Sequence, residues 1–251
     1  MVIDSHCHIF KSEYENPEEI IRQSLKNGIN KIIINGYNAI SSKEAVYYAK
    51  MYENVYASIG IGPEEVDSIT EEDIETIKKL VKEDKVVAIG EIGLDYYWTK
   101  ENKDKQIYVF ESMLKLAKEN SLPVIVHSRD SIKDVYDLLK KYGVTGIMHC
   151  FSGSVESARE FVKLGFLIGV GGVVTFKNAK TIKDVVKDIE ISSISLETDS
   201  PYLSPEPFRG KKNIPDNVLY VAEKISQIKG LNIDEVTVKT SSAVCSKFDL
   251  K

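Results

Sequence analysis

The sequence predicts an α/β fold, a (β/α)8 TIM barrel, with residues 1–251 forming one domain. Three observations point there: eight short β-rich runs, a helical segment between successive runs, and a spacing of about 31 residues per unit in a chain of 251. Such alternation implies right-handed crossovers and a parallel sheet. A doubly wound open sheet shares that alternation, so the placing of reactive side chains must separate the two.

The units run in order along the chain. A strand at 2–5 precedes an amphipathic helix at 17–27, and a strand at 31–35, with three consecutive isoleucines, precedes one at 42–53. Strands at 55–60 and 86–91 are followed by helical patterns at 71–83 and 103–119. Those at 124–127, 146–150 and 166–169 lead into 132–142, 155–164 and 179–188, and the last strand, 193–197, is followed by 215–229 and 233–247. No linker rich in Pro, Gly or Ser and no low-complexity tract interrupts the series.

Composition narrows the function classes. Lys+Arg number 33 and Asp+Glu 38, a net charge of −5, which excludes a protein that grips nucleic acid or anionic lipid with its whole surface. Hydrophobic residues make up 43% and charged residues 28%, a globular balance. The start of the chain lacks a cationic and apolar leader pattern, and the longest nearly uncharged stretch, 166–176, is too short to span a bilayer. Cys7, Cys150 and Cys245 are odd in number and widely spaced, which fits neither a disulfide framework nor a zinc knuckle. The expectation is a soluble, non-secreted, cytoplasmic protein with no membrane association and no obligate protein partner.

The reactive side chains gather at strand ends. His6 and His8 close the first strand as His-x-His and point the same way, because strand side chains alternate. His127 ends the fifth strand and His149 the sixth, so all four histidines of the chain fall at one rim. A lone histidine there reads as a satisfied structural residue; independent structural histidines have no reason to choose one rim. Glu91 closes the fourth strand and Asp199 follows the eighth. Taken singly these read as a salt-bridge glutamate and a helix N-cap. Four imidazoles with two carboxylates form a divalent-metal set, and six ligands suit two ions about 3.5–4 Å apart bridged by one carboxylate.

Seven blocks occur in order along the chain. They are Asp4-Ser5-His6-Cys7-His8, Gly90-Glu91-Ile92-Gly93-Leu94-Asp95-Tyr96-Tyr97, Pro123-Val124-Ile125-Val126-His127-Ser128-Arg129-Asp130 and His149-Cys150-Phe151-Ser152-Gly153, then Gly172-Val173-Val174-Thr175-Phe176-Lys177, Glu197-Thr198-Asp199-Ser200-Pro201-Tyr202-Leu203 and Arg209-Gly210-Lys211-Lys212-Asn213-Ile214-Pro215. The ordered series resembles the TatD-type metal-dependent deoxyribonucleases of the amidohydrolase-like superfamily. That resemblance implies a barrel that hydrolyses DNA phosphodiesters, generally as a 3′-to-5′ exonuclease, with two divalent ions of magnesium, manganese or zinc. The ligands it implies correspond to His6, His8, Glu91, His127, His149 and Asp199, with Glu91 as the bridge. Phosphotriesterase-like and dihydroorotase-like relatives use a carboxylated lysine on the fourth strand, and residues 86–94 contain no lysine.

Further roles follow as expectations. Asp199 and Glu91 are the catalytic carboxylates, Asp199 taking the proton of the attacking water. Glu197 and Asp4 are expected to orient ligand histidines, and Cys7 and Cys150 to point towards the helices. Arg129 and Arg209, two of only four arginines, are expected to bind phosphate, beside a basic loop Arg209-Gly210-Lys211-Lys212. Tyr96, Tyr97, Trp98 and Phe151 are candidates to stack on unpaired bases, the substrate being single-stranded DNA or 3′ ends. Gly62, Phe10 and Ala243 depart from the family pattern, which has His, Asp and Asn there. The Gly62 difference favours an alternative substrate, a small phosphoester, lactone or amide. A barrel that has lost turnover and serves as a scaffold is a third reading, against which the complete ligand set argues.

Overall fold

A computed structural model describes residues 1–250. Eight parallel strands lie in sequential order: β1 (Ile3–Cys7), β2 (Lys31–Asn35), β3 (Val55–Ile59), β4 (Val86–Asp95), β5 (Val124–Arg129), β6 (Gly146–Met148), β7 (Leu167–Val170) and β8 (Ile194–Leu196). Between them run α1 (Pro17–Lys26), α2 (Ala39–Met51), α3 (Glu71–Leu80), α4 (Lys103–Glu119), α5 (Ile132–Tyr142), α6 (Val155–Lys163) and α7 (Lys180–Asp188), and α8 (Val218–Lys229) and α9 (Ile233–Phe248) follow β8. This is the expected TIM barrel. Among the described residues no helix is long and apolar enough to cross a membrane.

Local chemistry explains the element ends. α1 starts where the Asn16 side chain accepts from the Glu19 amide and Pro17 supplies a preset φ. Asn38 and Ser41 form a reciprocal capping box, which starts α2 three residues before the expected position 42. α5 and α8 stop at Gly143 and Gly230, both left-handed.

Two differences in the sheet position the site. β4 continues to Asp95, although Gly90 and Gly93 read as an end near residue 91. Gly93 has φ +148°, and a Cβ there would lie 2.0 Å from the His127 carbonyl oxygen, so glycine lets β4 pass close to β5 through a register shift between Ile89 and Ile92. In β1 a second shift falls between Asp4 and Cys7. Ile3 packs in the cluster that Val244, Phe248 and Leu250 plug at the N-terminal ends of the strands, whereas Cys7 packs in the core that the helices cover. The bulge therefore inverts the alternation, and His6 and His8 end on the inner face.

The barrel closes at a seam of a different kind from the other pairings. β1 and β8 meet through a parallel bridge of Cys7 with Ser200, with the His8 amide donating to the Ser200 carbonyl at 2.6 Å and the Asp199 amide to the His6 carbonyl at 2.9 Å. Below it the Ser5 and Ser195 hydroxyls lie 2.6 Å apart. Asp4, completely buried, accepts from the Thr198 amide at 2.9 Å and the Thr198 hydroxyl at 2.6 Å. Removing that acceptor strands two buried donors, so Asp4→Ala should lose about 2–4 kcal/mol of stability. Chemical denaturation of parent and variant checks this; an unchanged midpoint would mean that the seam is held elsewhere.

Candidate metal centre

The strand tops bring all six predicted metal-site residues into one cluster. His6, in β1, and His8, just beyond it, approach Glu91 Oε2 through Nε2 at 3.4 Å each. The other oxygen, Oε1, lies 3.1 Å from His127 Nδ1 and 3.9 Å from His149 Nε2. Asp199 Oδ1 sits 3.7, 3.4 and 3.7 Å from Nε2 of His6, His8 and His149. Three donor triads, His6–His8–Glu91, His6–His149–Asp199 and Glu91–His127–His149, each hold ligand atoms within 4.8 Å of one another. The set opens into a cavity of about 710 Å³ that Gly62, Trp98, Arg129 and Tyr202 also line.

The electrostatics of this cluster are those of anions compensated only by imidazoles. Burial pushes the Glu91 carboxyl up, but hydrogen bonds from His127 and His6 and the charge of His149 outweigh it and hold it well below the usual range. Asp199 is lowered likewise, against burial, by His149, His8 and His6. Burial would lower His127, yet Asp95 and Glu91 raise it to about 10. His149 is raised against burial to about 9 by Glu197 and Asp199. His6 is pushed down to about 4 by burial and by His149, and its Nδ1 is buried with no hydrogen-bond partner. Imidazole nitrogen beside carboxylate oxygen, with no lysine or arginine paired to Glu91 or Asp199 among the described residues, is a donor set that fits divalent ions.

Supporting contacts aim these rings. His8 Nδ1 donates to the Asn35 carbonyl at 2.8 Å, which leaves Nε2 for the cluster. Asp95 Oδ2 lies 3.0 Å from His127 Nε2, while Oδ1 accepts from the Tyr97 amide at 2.9 Å. Gln106 exchanges hydrogen bonds with the Asp95 backbone in both directions, each 2.8 Å, and so pins the end of β4 to α4. Sequence reasoning missed Asp95 and Gln106 as supports. The available signal for Asp95 was its place four residues after Glu91, and reading β4 as ending at residue 91 hid it. Glu197 Oε1 accepts from the Cys150 amide at 2.6 Å and stands 3.2 Å from His149 Nδ1, outside hydrogen-bonding geometry.

Other expectations fare differently. Asp4 braces Thr198 and touches no imidazole ring; its bonds are to backbone amides and the Thr198 hydroxyl. Cys7 packs against the helix-covered core as expected, but Cys150 lines the cavity. β6 stops at Met148 and Cys150 turns left-handed at φ 43°, so strand alternation no longer governs it. Arg129 lines the cavity. Arg209 does not: its guanidinium stacks 4.4 Å from the Phe176 ring, and its basic loop folds onto aromatic rings too, Lys211 on Phe208 and Lys212 on Tyr14. Tyr96 and Phe151 belong to the buried core, because they sit where apolar packing takes them, so only Tyr97 and Trp98 remain exposed.

A family model described as TatD related DNase matches residues 3–249. The chain belongs to that family. YabD of Bacillus subtilis strain 168, described as an uncharacterized metal-dependent hydrolase, is 44% identical over 245 residues, which cover 96% of each chain. The crystal structure of YjjV, a TatD homologue from Escherichia coli K12, superposes with a TM-score of 0.93 at 31% identity over 100% of this chain and 98% of that one. The Escherichia coli phosphotriesterase homology protein shares the barrel alone, with a TM-score of 0.66 at 17% identity over 96% of this chain and 97% of that one.

Protons and metal compete in this TatD-family cluster. His149 and His127 hold their protons to about 9 and about 10 without an ion, and must release them to ligate one. Metal affinity should therefore climb as pH rises from neutrality towards about 10, with protons released on loading. Calorimetric titration in buffers of different ionisation enthalpy measures the release; a pH-independent affinity would contradict the assignment.

Proposed function

We propose that this metal-dependent hydrolase of the TatD family cleaves phosphodiester bonds in DNA, stepwise from a 3′ end, with two divalent ions of magnesium, manganese or zinc. The observation that carries the reading is the division of Glu91, one oxygen towards His6 and His8 and the other towards His127 and His149. That division supports a bridging carboxylate between two ion sites, with Asp199 completing the set. Divalent ions held there supply Lewis acidity, acidifying water and offsetting charge on phosphoryl oxygens.

The protein's own groups do the rest. The imidazole contacts of Asp199 run through Oδ1, which leaves Oδ2 to accept a proton from the attacking water. Glu91, held ionised, keeps both oxygens available as ligands. Arg129 at the cavity wall offers a planar fork to nonbridging phosphate oxygens. The cysteine spacing supports a reducing, cytoplasmic setting.

One observation favours a second reading. Where the family pattern has a histidine, Gly62 lines the cavity beside Glu64 and Glu65, a wall that repels phosphate. A small phosphoester, lactone or amide fits that wall better than a polyanion does. Single-stranded DNA labelled at either end, with each metal added back after chelation, separates the two. Stepwise loss from the 3′ end supports the nuclease; inert DNA alongside rapid hydrolysis of a small ester supports the alternative. Asp199→Asn should reduce turnover by about 10²–10⁴-fold while the far-UV circular dichroism of the folded protein stays parental, and near-parental turnover would remove Asp199 from its role.

A further inference from the structure

The mouth of the cavity carries an exposed aromatic pair that the metal cluster does not use. Tyr97 and Trp98 are 54% and 68% exposed, in the loop between β4 and α4. The loop is tied at both ends: the Tyr97 amide donates to Asp95, and the Asn102 side chain donates to Asp67 at 2.7 Å. The two rings meet edge to face, with centroids 4.9 Å apart and planes at 83°. Arg129 lies over Tyr97, its Cζ 3.6 Å from the ring centroid and 5.4 Å from that of Trp98. Among the described residues Arg129 forms no ion pair with a carboxylate.

The charge around this mouth is divided. Arg129, at the top of β5, stands on one side of Trp98, while Glu64 and Glu65, on the turn after β3, line the same cavity on the other. Neither glutamate is ion-paired among the described residues. A phosphate is drawn towards β5 and repelled from β3, and the exposed indole belongs to the loop after β4, the strand between them. We propose that Trp98, braced by Tyr97, is a stacking platform for an unpaired nucleobase whose phosphate lies on Arg129. The strand then enters across the β5 side, and Glu64 and Glu65 turn its backbone away from the β3 side. Bases within a duplex have both faces covered, so the platform selects single strands with little regard to sequence. This inference rests on the nuclease reading above.

Trp98 is the single tryptophan of the chain, so indole fluorescence reports this ring alone. The full-length, magnesium-loaded protein is titrated with phosphorothioate oligothymidylate, which resists cleavage, and with an abasic strand of the same length and linkage. The expected result is quenching by oligothymidylate, with the abasic strand binding about tenfold more weakly and leaving the emission unchanged. Trp98→Ala should lower oligothymidylate affinity about tenfold, measured by anisotropy of an end-labelled strand, and Trp98→Phe, which restores a ring, should recover most of it. Equal affinity for the two strands, or undiminished affinity in Trp98→Ala, overturns the platform while ordinary DNA is still cleaved and the nuclease reading stands. Failure to bind either strand together with failure to cleave DNA overturns both.

Discussion

Glu91 and Asp199 sit together at one end of this barrel, and among the described residues four imidazoles face them closely enough to keep them ionised. A buried carboxylate without compensation takes up a proton or destabilises the fold by several kcal/mol. Glu91 and Asp199 escape this because β1, β5 and the turn after β6 each deliver an imidazole to them. The irregular features of the sheet serve that delivery. The bulge in β1 turns His6 and His8 inward, and Gly93 lets β4 run close to β5, so that Asp95 reaches the far side of the His127 ring. Two of the imidazoles are then set by a further acceptor, a backbone carbonyl for His8 and a carboxylate for His127.

This arrangement also explains why an acidic chain is compatible with an anionic substrate. The net charge of −5 belongs to the whole chain, whereas divalent ions held by the donor cluster would concentrate positive charge at one point. Under the nuclease reading, attraction is local, at Arg129, and the acidic turn at Glu64 and Glu65 gives it a direction.

Much of this was legible in the amino-acid order because the signals were redundant. Strand and helix periods alternate eight times, and His127 falls near the end of β5 whichever neighbouring residue is taken as the last. What was hidden depends on backbone geometry. The fourth strand was expected to end at residue 91, yet Gly93 permits close strand contact and β4 runs on to Asp95. Strand alternation placed Cys150 on the helix side, but it sits in a left-handed turn where alternation has ceased. Arg209 follows the eighth strand in sequence, yet a ring stack on Phe176 carries its guanidinium away from the cavity. No linear pattern reports that choice between a ring and a phosphate.

The seam between β1 and β8 has one more consequence. The Asp199 amide bonds the His6 carbonyl, and Asp4 bonds Thr198 across 194 positions of chain. The first two donors and the last therefore come from distant parts of the polypeptide, joined by a long loop that the fold must close. A chain still leaving the ribosome holds His6 and His8 early but has nothing to set Asp199 beside them until the eighth strand emerges. A copy truncated before the eighth strand thus lacks both Asp199 and the β1–β8 seam that sets it beside His6 and His8.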